Sequence, residues 1–309
     1  MIKEKLIRHL IEKTGVQKSN LIEKDIILHR LLFELLLDKK FDSEYVFKGG
    51  TCLMKCHLGY YRFSEDLDFT WLNQKAMEGK SENQIKRLLS KEITLLASLL
   101  EGIAKKMGLD FRPDKQNKRY FDFGGSNAYV TFKFWYIPQG EEKETFIKIQ
   151  VNYREKLFYP VMKKTAKGMI DKNMAKGFSF LFPEESEFLL KNVKLNVYDL
   201  REILIEKIRA ILTRKGVKAR DFVDVYTIEK EKKLKPEKFE DEIVSKVKDS
   251  MRFEKYKINL KQKLKERPTM KLGEEEYLLL KPLGDDLPDF LNRLDKFIEK
   301  LIKRLNEEF

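Results

Sequence analysis

The sequence predicts an α/β (α+β) fold: a core with a mixed sheet over residues 1–195, N-terminal helices included, and a helical C-terminal domain over 196–309 that contributes to the active-site cleft. Three observations carry it. The apolar run Tyr45-Val46-Phe47 reads as a buried strand and feeds Lys48-Gly49-Gly50-Thr51 and a helical stretch through His57. Asp66-Leu67-Asp68-Phe69 alternates carboxylate with apolar side chain, the period of a strand with one open face. Beyond Ile228 the chain is charged, with apolar residues at helical spacing.

The remaining elements follow in order. Leu6, Leu10 and Ile11 mark a first helix stopped at Thr14-Gly15; Leu21 to Leu36 mark a longer, more buried one capped by Ser19 or Asn20. Glu23, Lys24 and Asp25 near that start read as a surface turn or as nucleotide contacts, and their position favours the surface. Asn73 to Lys80 is a polar connection, and Ile85 to Met107 is a helix ended by Gly108. Residues 129–137 and 145–153 form a hairpin around Pro138-Gln139-Gly140, with Ile147, Ile149 and Val151 on one face and Lys148, Gln150 and Asn152 on the other. Residues 156–187 read as irregular; Lys163, Lys164, Lys167, Lys172 and Lys176 make them a solvated or substrate-facing loop. Val193–Val197 is a short strand, and Asp199 caps a helix to about Arg214. Pro236 starts one later helix, Pro268 stops the one from Arg252 to Arg267, and Phe290 to Leu305 closes a bundle.

Composition narrows the class. A chain of 309 residues, 42% hydrophobic and 12% aromatic, can bury a substantial core. No apolar run approaches the roughly 20 residues that span a bilayer, and Met1-Ile2-Lys3-Glu4-Lys5 lacks a signal-peptide core, so a cytoplasmic protein without membrane partners is expected. Lys and Arg outnumber Asp and Glu 63 to 50, a formal charge of +13 that favours polyanions, RNA or DNA, as partners. Cys52 and Cys56 lie one helical turn apart beside His57, but a zinc site wants about four ligands and no second pair exists; two packed thiols are the simpler expectation.

Chemistry concentrates between Phe47 and Trp71. Gly49 and Gly50 let backbone approach a ligand, and Thr51 opens a helix whose free N–H groups suit phosphate. Asp66 and Asp68 share a strand face, where their repulsion is relieved by a hard cation such as Mg²⁺. The plainer alternative is an ordinary helix start and an edge strand blunted by charge.

Gly49-Gly50-Thr51, a helix, Arg62-Phe63-Ser64-Glu65 and Asp66-x-Asp68 together resemble the signature of polymerase-β-like nucleotidyltransferases, and specifically the AbiEii/AbiGii (MenT-like) toxins. Lys207, on the apolar stripe of the helix after Asp199, and the stretch Arg214 to Asp224 resemble that family's second block. The resemblance implies Mg²⁺ on Asp66 and Asp68, and nucleotide binding by Lys48, Gly49, Gly50, Thr51, Arg62, Ser64 and Lys207. It implies catalysis by Asp66, Asp68, Lys207, Asp221 and Asp224, with Arg220 beside them. From the residues alone, Lys207 could instead snorkel to water, Asp221 and Asp224 could cap a helix and pair with Arg220, and Arg62 and Ser64 could contact phosphate or orient their loop.

The fold often carries a third carboxylate on the second hairpin strand, and here the best-placed residue is Gln150, with Glu155 beyond it. Either two aspartates suffice, or Glu155 helps, or a second metal is weakly held. The implied function is transfer of NMP from an NTP to RNA, the 3′ end of tRNA, by a toxin held in check by a cognate antitoxin. The alternatives are an antibiotic-type small-molecule nucleotidyltransferase and a catalytically weak nucleotide or RNA binder.

Overall fold

The computed structural model describes residues 2–124, 128–170, 174–265 and 268–307; Lys172 and Arg267 lie outside the described residues. The chain divides into two compact units, Met1–Glu155 with Val161–Tyr198, and Lys156–Pro160 with Asp199–Phe309. The class is mixed α/β, with a mixed sheet and a helical C-terminal region, as expected.

The first unit opens with α1 (Glu4–Thr14), which Gly15 ends in the left-handed conformation at φ 72°. In α2 (Ser19–Leu35) the cap position belongs to Lys18, not to Ser19 or Asn20. The Asn20 side chain takes the N–H of Leu21 instead, a local bond that competes with capping. α3 (Lys39–Glu44) is capped by Asp38 and runs into β1 (Tyr45–Lys48). Then come α4 (Gly49–Cys52), continued by a π-helical turn Leu53–Leu58, and β2 (Asp66–Trp71). α5 (Glu82–Met107) starts on a Ser81/Gln84 capping box and ends at Gly108, φ 70°.

β3 (Phe121–Gly124) precedes the expected hairpin of β4 (Tyr129–Tyr136) and β5 (Thr145–Asn152). Residues 156–187, expected to be irregular, contain β6 (Met162–Ala166), α6 (Phe178–Leu181) and α7 (Pro183–Leu189). The strand was illegible because β6 is an edge: only Ala166 is buried, and lysines blunt its open side, leaving no apolar alternation. β7 (Val193–Val197) pairs with it antiparallel.

Among the described residues the strands form one seven-stranded sheet in the order β3-β4-β5-β2-β1-β7-β6. β2 is central, antiparallel to β1 and parallel to β5. The two acids of the motif therefore stand in the middle of the sheet, which removes the charged-edge explanation for them.

Glu23 and Asp25, placed at the surface by sequence, are each only 2% exposed. α2 is buried nearly all round, so a polar side chain on it must find its partner inside. Asp25 meets the ammonium of Lys55 on the π-helical turn at 2.7 Å. Lys55 also donates to the Tyr60 hydroxyl at 2.8 Å, and that hydroxyl donates to Asp25 at 2.8 Å, closing a buried triangle.

The second unit is α-helical. α8 (Leu200–Thr213) is capped by Asp199, whose side chain accepts from Arg201 N at 2.8 Å. It is followed by α9 (Ala219–Lys232), α10 (Glu240–Ser250), α11 (Glu254–Lys265) and α12 (Leu287–Glu307). Pro236 opens a 3₁₀ turn, Pro236–Phe239, before α10. Segment 156–160 joins this unit because Glu202 accepts the N–H groups of Phe158 and Tyr159 at 2.8 and 3.1 Å while pairing with Lys246 at 2.8 Å. On α12, Leu294, Ile298, Leu301 and Leu305 are buried at helical spacing.

Asp25→Ala leaves the Lys55 ammonium buried without its carboxylate and is expected to cost about 3–5 kcal/mol, read by urea unfolding. Asp25→Ala/Lys55→Met should recover most of that loss, and equal instability of the single and double variants would contradict the charge explanation.

Candidate active site

β2 is built as its alternation dictates. Leu67 and Phe69 are buried, while Asp66 and Asp68 are half-buried on the opposite face. The antiparallel register sets Lys48 opposite Asp68, so the glycine turn begins where that carboxylate projects. Gly49 has φ +76°, and a Cβ there would collide with the Asp68 carboxylate. A Cβ at Gly50 would run into the Arg62 guanidinium and stand 3.3 Å from Ser64 Oγ. Gly49 thus excludes a side chain by contact and by backbone conformation, whereas one at Gly50 would require the Arg62 guanidinium to move.

Thr51 Oγ1 is hydrogen-bonded to Ser64 Oγ at 2.7 Å and donates to the backbone carbonyl of Asp66. Arg62 is 2% exposed; it donates to Phe63 O at 2.6 Å and lies over the Tyr61 ring at 5.7 Å. The Thr51 contacts join the turn to Ser64 and to the start of β2, while those of Arg62 stay within its own loop. Gly49, Gly50, Thr51, Arg62, Ser64, Asp66 and Asp68 are therefore brought together in one place.

Lys48 is in the same unit, but its ammonium is 3.0 Å from Glu155 and 5.4 Å over the Tyr198 ring. Glu155 also accepts from Asn152 Nδ2. The parallel register of β2 and β5 puts Gln150 directly beside Asp68, its amide donating to Thr131 Oγ1 at 3.2 Å. The position flanking the aspartates is therefore held by a neutral amide.

Among the described residues, no three or more His, Cys, Asp or Glu side chains gather as a metal cage. Cys52 is buried, Cys56 is half-buried, and His57 Nε2 sits 3.0 Å from the Tyr198 carbonyl. Two neighbouring carboxylates beside a side-chain-free backbone cradle suit Mg²⁺, which takes one or two carboxylates and shares the rest of its shell with phosphates and water.

The second unit holds the other group. Lys207 on α8, 9% exposed, is 2.9 Å from Asp221 and 2.6 Å from Asp224 in the first turns of α9. Arg214 donates to the second Asp221 oxygen at 2.6 Å. Lys207 is not a snorkelling lysine: its amine is held inside by two carboxylates. The partner considered for Asp221, Arg220, pairs with Glu275 at 3.7 Å instead. Burial pushes the Asp221 carboxyl up, but the Lys207 ammonium and Arg214 guanidinium outweigh it and hold the group below the usual range.

Sequence reasoning noted Lys24 but missed its partner: its ammonium is 2.9 Å from Glu65, the residue before Asp66. It also missed the Thr70 Oγ1 to Tyr198 OH bond at 2.6 Å. Both join residues far apart in the chain, for which local pattern carries no signal.

The family model described as "Nucleotidyl transferase AbiEii toxin, Type IV TA system" matches residues 30–304. Among solved structures, JHP933 from Helicobacter pylori aligns at 17% identity over 92% of this chain and 94% of that one, with TM-score 0.40. A second H. pylori protein aligns at 17% identity over 100% and 99%, with TM-score 0.38. Among curated proteins none matches the chain.

A lowered carboxyl contributes stability that is complete above its unfolded value, near pH 3.9, and is lost as pH falls through the folded value. Asp221 should therefore make the protein steeply less stable below about pH 4. Asp221→Asn should flatten that part of a urea-midpoint profile taken from about pH 7 down to 2. An unchanged acid slope would show that Asp221 is not held ionised by its neighbours.

Proposed function

The chain belongs to the AbiEii family, the nucleotidyl transferase toxins of type IV toxin–antitoxin systems, and on that premise we propose that it transfers NMP from an NTP to RNA, at the 3′ end of tRNA, releasing pyrophosphate. The observation that carries this reading is the packing of the Asp68 carboxylate against the Gly49 backbone, with Asp66 on the same strand face. Anion-binding backbone and cation-binding carboxylates are then adjacent, which suits a metal-chelated triphosphate.

The family implies a nucleotide substrate and an antitoxin. Among the described residues no helix is long and apolar enough to cross a membrane. A tRNA acceptor would place the work in the cytoplasm.

In this mechanism the N–H groups of Gly49, Gly50 and Thr51 seat the β and γ phosphates. Asp66 and Asp68 would hold Mg²⁺, which would supply positive charge to offset the negative charge opposing attack on the α-phosphorus. Thr51 and Ser64 keep the turn and acidic strand in fixed register. Lys207, its amine held by Asp221 and Asp224, is assigned to nucleotide phosphates by the resemblance of its segment to the family's second block. The acceptor hydroxyl attacks the α-phosphorus and the bond to the β-phosphate oxygen breaks. Positioning and electrostatics supply most of the acceleration, so little acid–base machinery is needed.

One observation favours a second reading. Gln150 beside Asp68 supplies no third negative charge, which suits a weakly catalytic nucleotide or RNA binder. Incubation with each α-³²P-NTP, total tRNA and Mg²⁺ separates the two. Transfer is expected to label tRNA, and Asp66→Asn should reduce labelling to background while leaving the circular dichroism spectrum intact. Equal labelling by the variant would remove the metal role, and tRNA bound without label would favour the binder.

A further inference from the structure

Three consecutive residues of α2, Glu23, Lys24 and Asp25, each reach a different segment of the first unit. Glu23 accepts the backbone N–H of Gln139, in the turn between β4 and β5, at 2.8 Å. Lys24 pairs with Glu65 at 2.9 Å, across 41 residues of chain. Asp25 pairs with Lys55 at 2.7 Å, one turn beyond Thr51 on the helix that follows the glycines. Successive residues of an α-helix point about 100° apart, so one helical turn engages three directions.

Stability alone does not account for this arrangement. α2 is largely buried, and replacing buried ion pairs by packed apolar groups is often neutral or favourable. What charges with fixed partners add is position. Glu65 immediately precedes Asp66, so a displacement of Glu65 carries the first acidic residue with it. Lys55 lies on the turn continuing α4, so its anchor at Asp25 fixes the helix that Gly49 and Gly50 open. The Lys24 side chain is 15% exposed and that of Glu65 is 36%, which lets this contact be removed without stranding a buried charge.

We propose that Glu23-Lys24-Asp25 is a positioning brace for the acidic site, in which Lys24, acting through Glu65, sets the place of Asp66 for cation binding. The inference rests on the reading that Asp66 and Asp68 hold a divalent ion. In this role Lys24 acts from outside the ion's first shell, through the chain neighbour of a proposed ligand.

The test uses Mn²⁺ alone as probe, titrated into the full-length protein and followed by electron paramagnetic resonance. Thermal melting is recorded on the same samples, and all binding is measured below the onset of unfolding. Lys24→Met should weaken Mn²⁺ binding by roughly tenfold to a hundredfold, the effect typical of lost outer-shell support. Its melting temperature should stay at the wild-type value, and Lys24→Arg should restore the affinity. Mn²⁺ affinity in Lys24→Met equal to wild type would overturn the proposal, whatever the melting temperature. A loss that Lys24→Arg does not restore would also overturn it. If wild-type protein and Asp66→Asn fail alike to bind Mn²⁺, both alone and with NTP added, the metal role of the aspartates falls, and the brace with it.

Discussion

The proposed site in the first unit depends on one close approach, the Asp68 carboxylate against the backbone of Gly49. It requires a residue without Cβ at that position and a left-handed backbone there, and glycine supplies both.

The sheet makes the approach possible. β1 and β2 are antiparallel neighbours at its centre, so the glycine turn leaving β1 starts level with the acidic end of β2. Alternation on β2 buries Leu67 and Phe69 and turns both aspartates the other way. Thr51 then ties the turn to Ser64 and to the backbone of Asp66 through short polar contacts. The site is thus held by strand register below and by hydrogen bonds above.

Buried charge recurs in both units. Asp25 and Lys55 in the first, and Glu202 with Lys246 and Lys207 with Asp221 and Asp224 in the second, are pairs whose members would be costly if left alone. Each links segments well separated in sequence. Such pairs contribute less net stability than apolar packing but tolerate fewer alternative arrangements, which favours a single geometry around reactive groups.

Strand and helix identity around Gly49, Asp66, Ile147 and Leu200 was legible in the sequence because each depends on local periodicity, and so were the glycine–aspartate motif and its family resemblance. The edge strand at Met162 was not, since pairing on one side with β7 demands almost no apolar pattern. Nor were the partners of Glu23, Lys24, Asp25 and Arg220, because an ion pair between distant residues leaves no trace in either local segment. Composition and spacing determined which groups are present and which elements carry them. Only the folded chain decided that Gln150 stands beside Asp68, that Lys48 belongs to Glu155, and that Asp221 takes Lys207 and Arg214, because register and burial choose among charges that are equivalent in sequence.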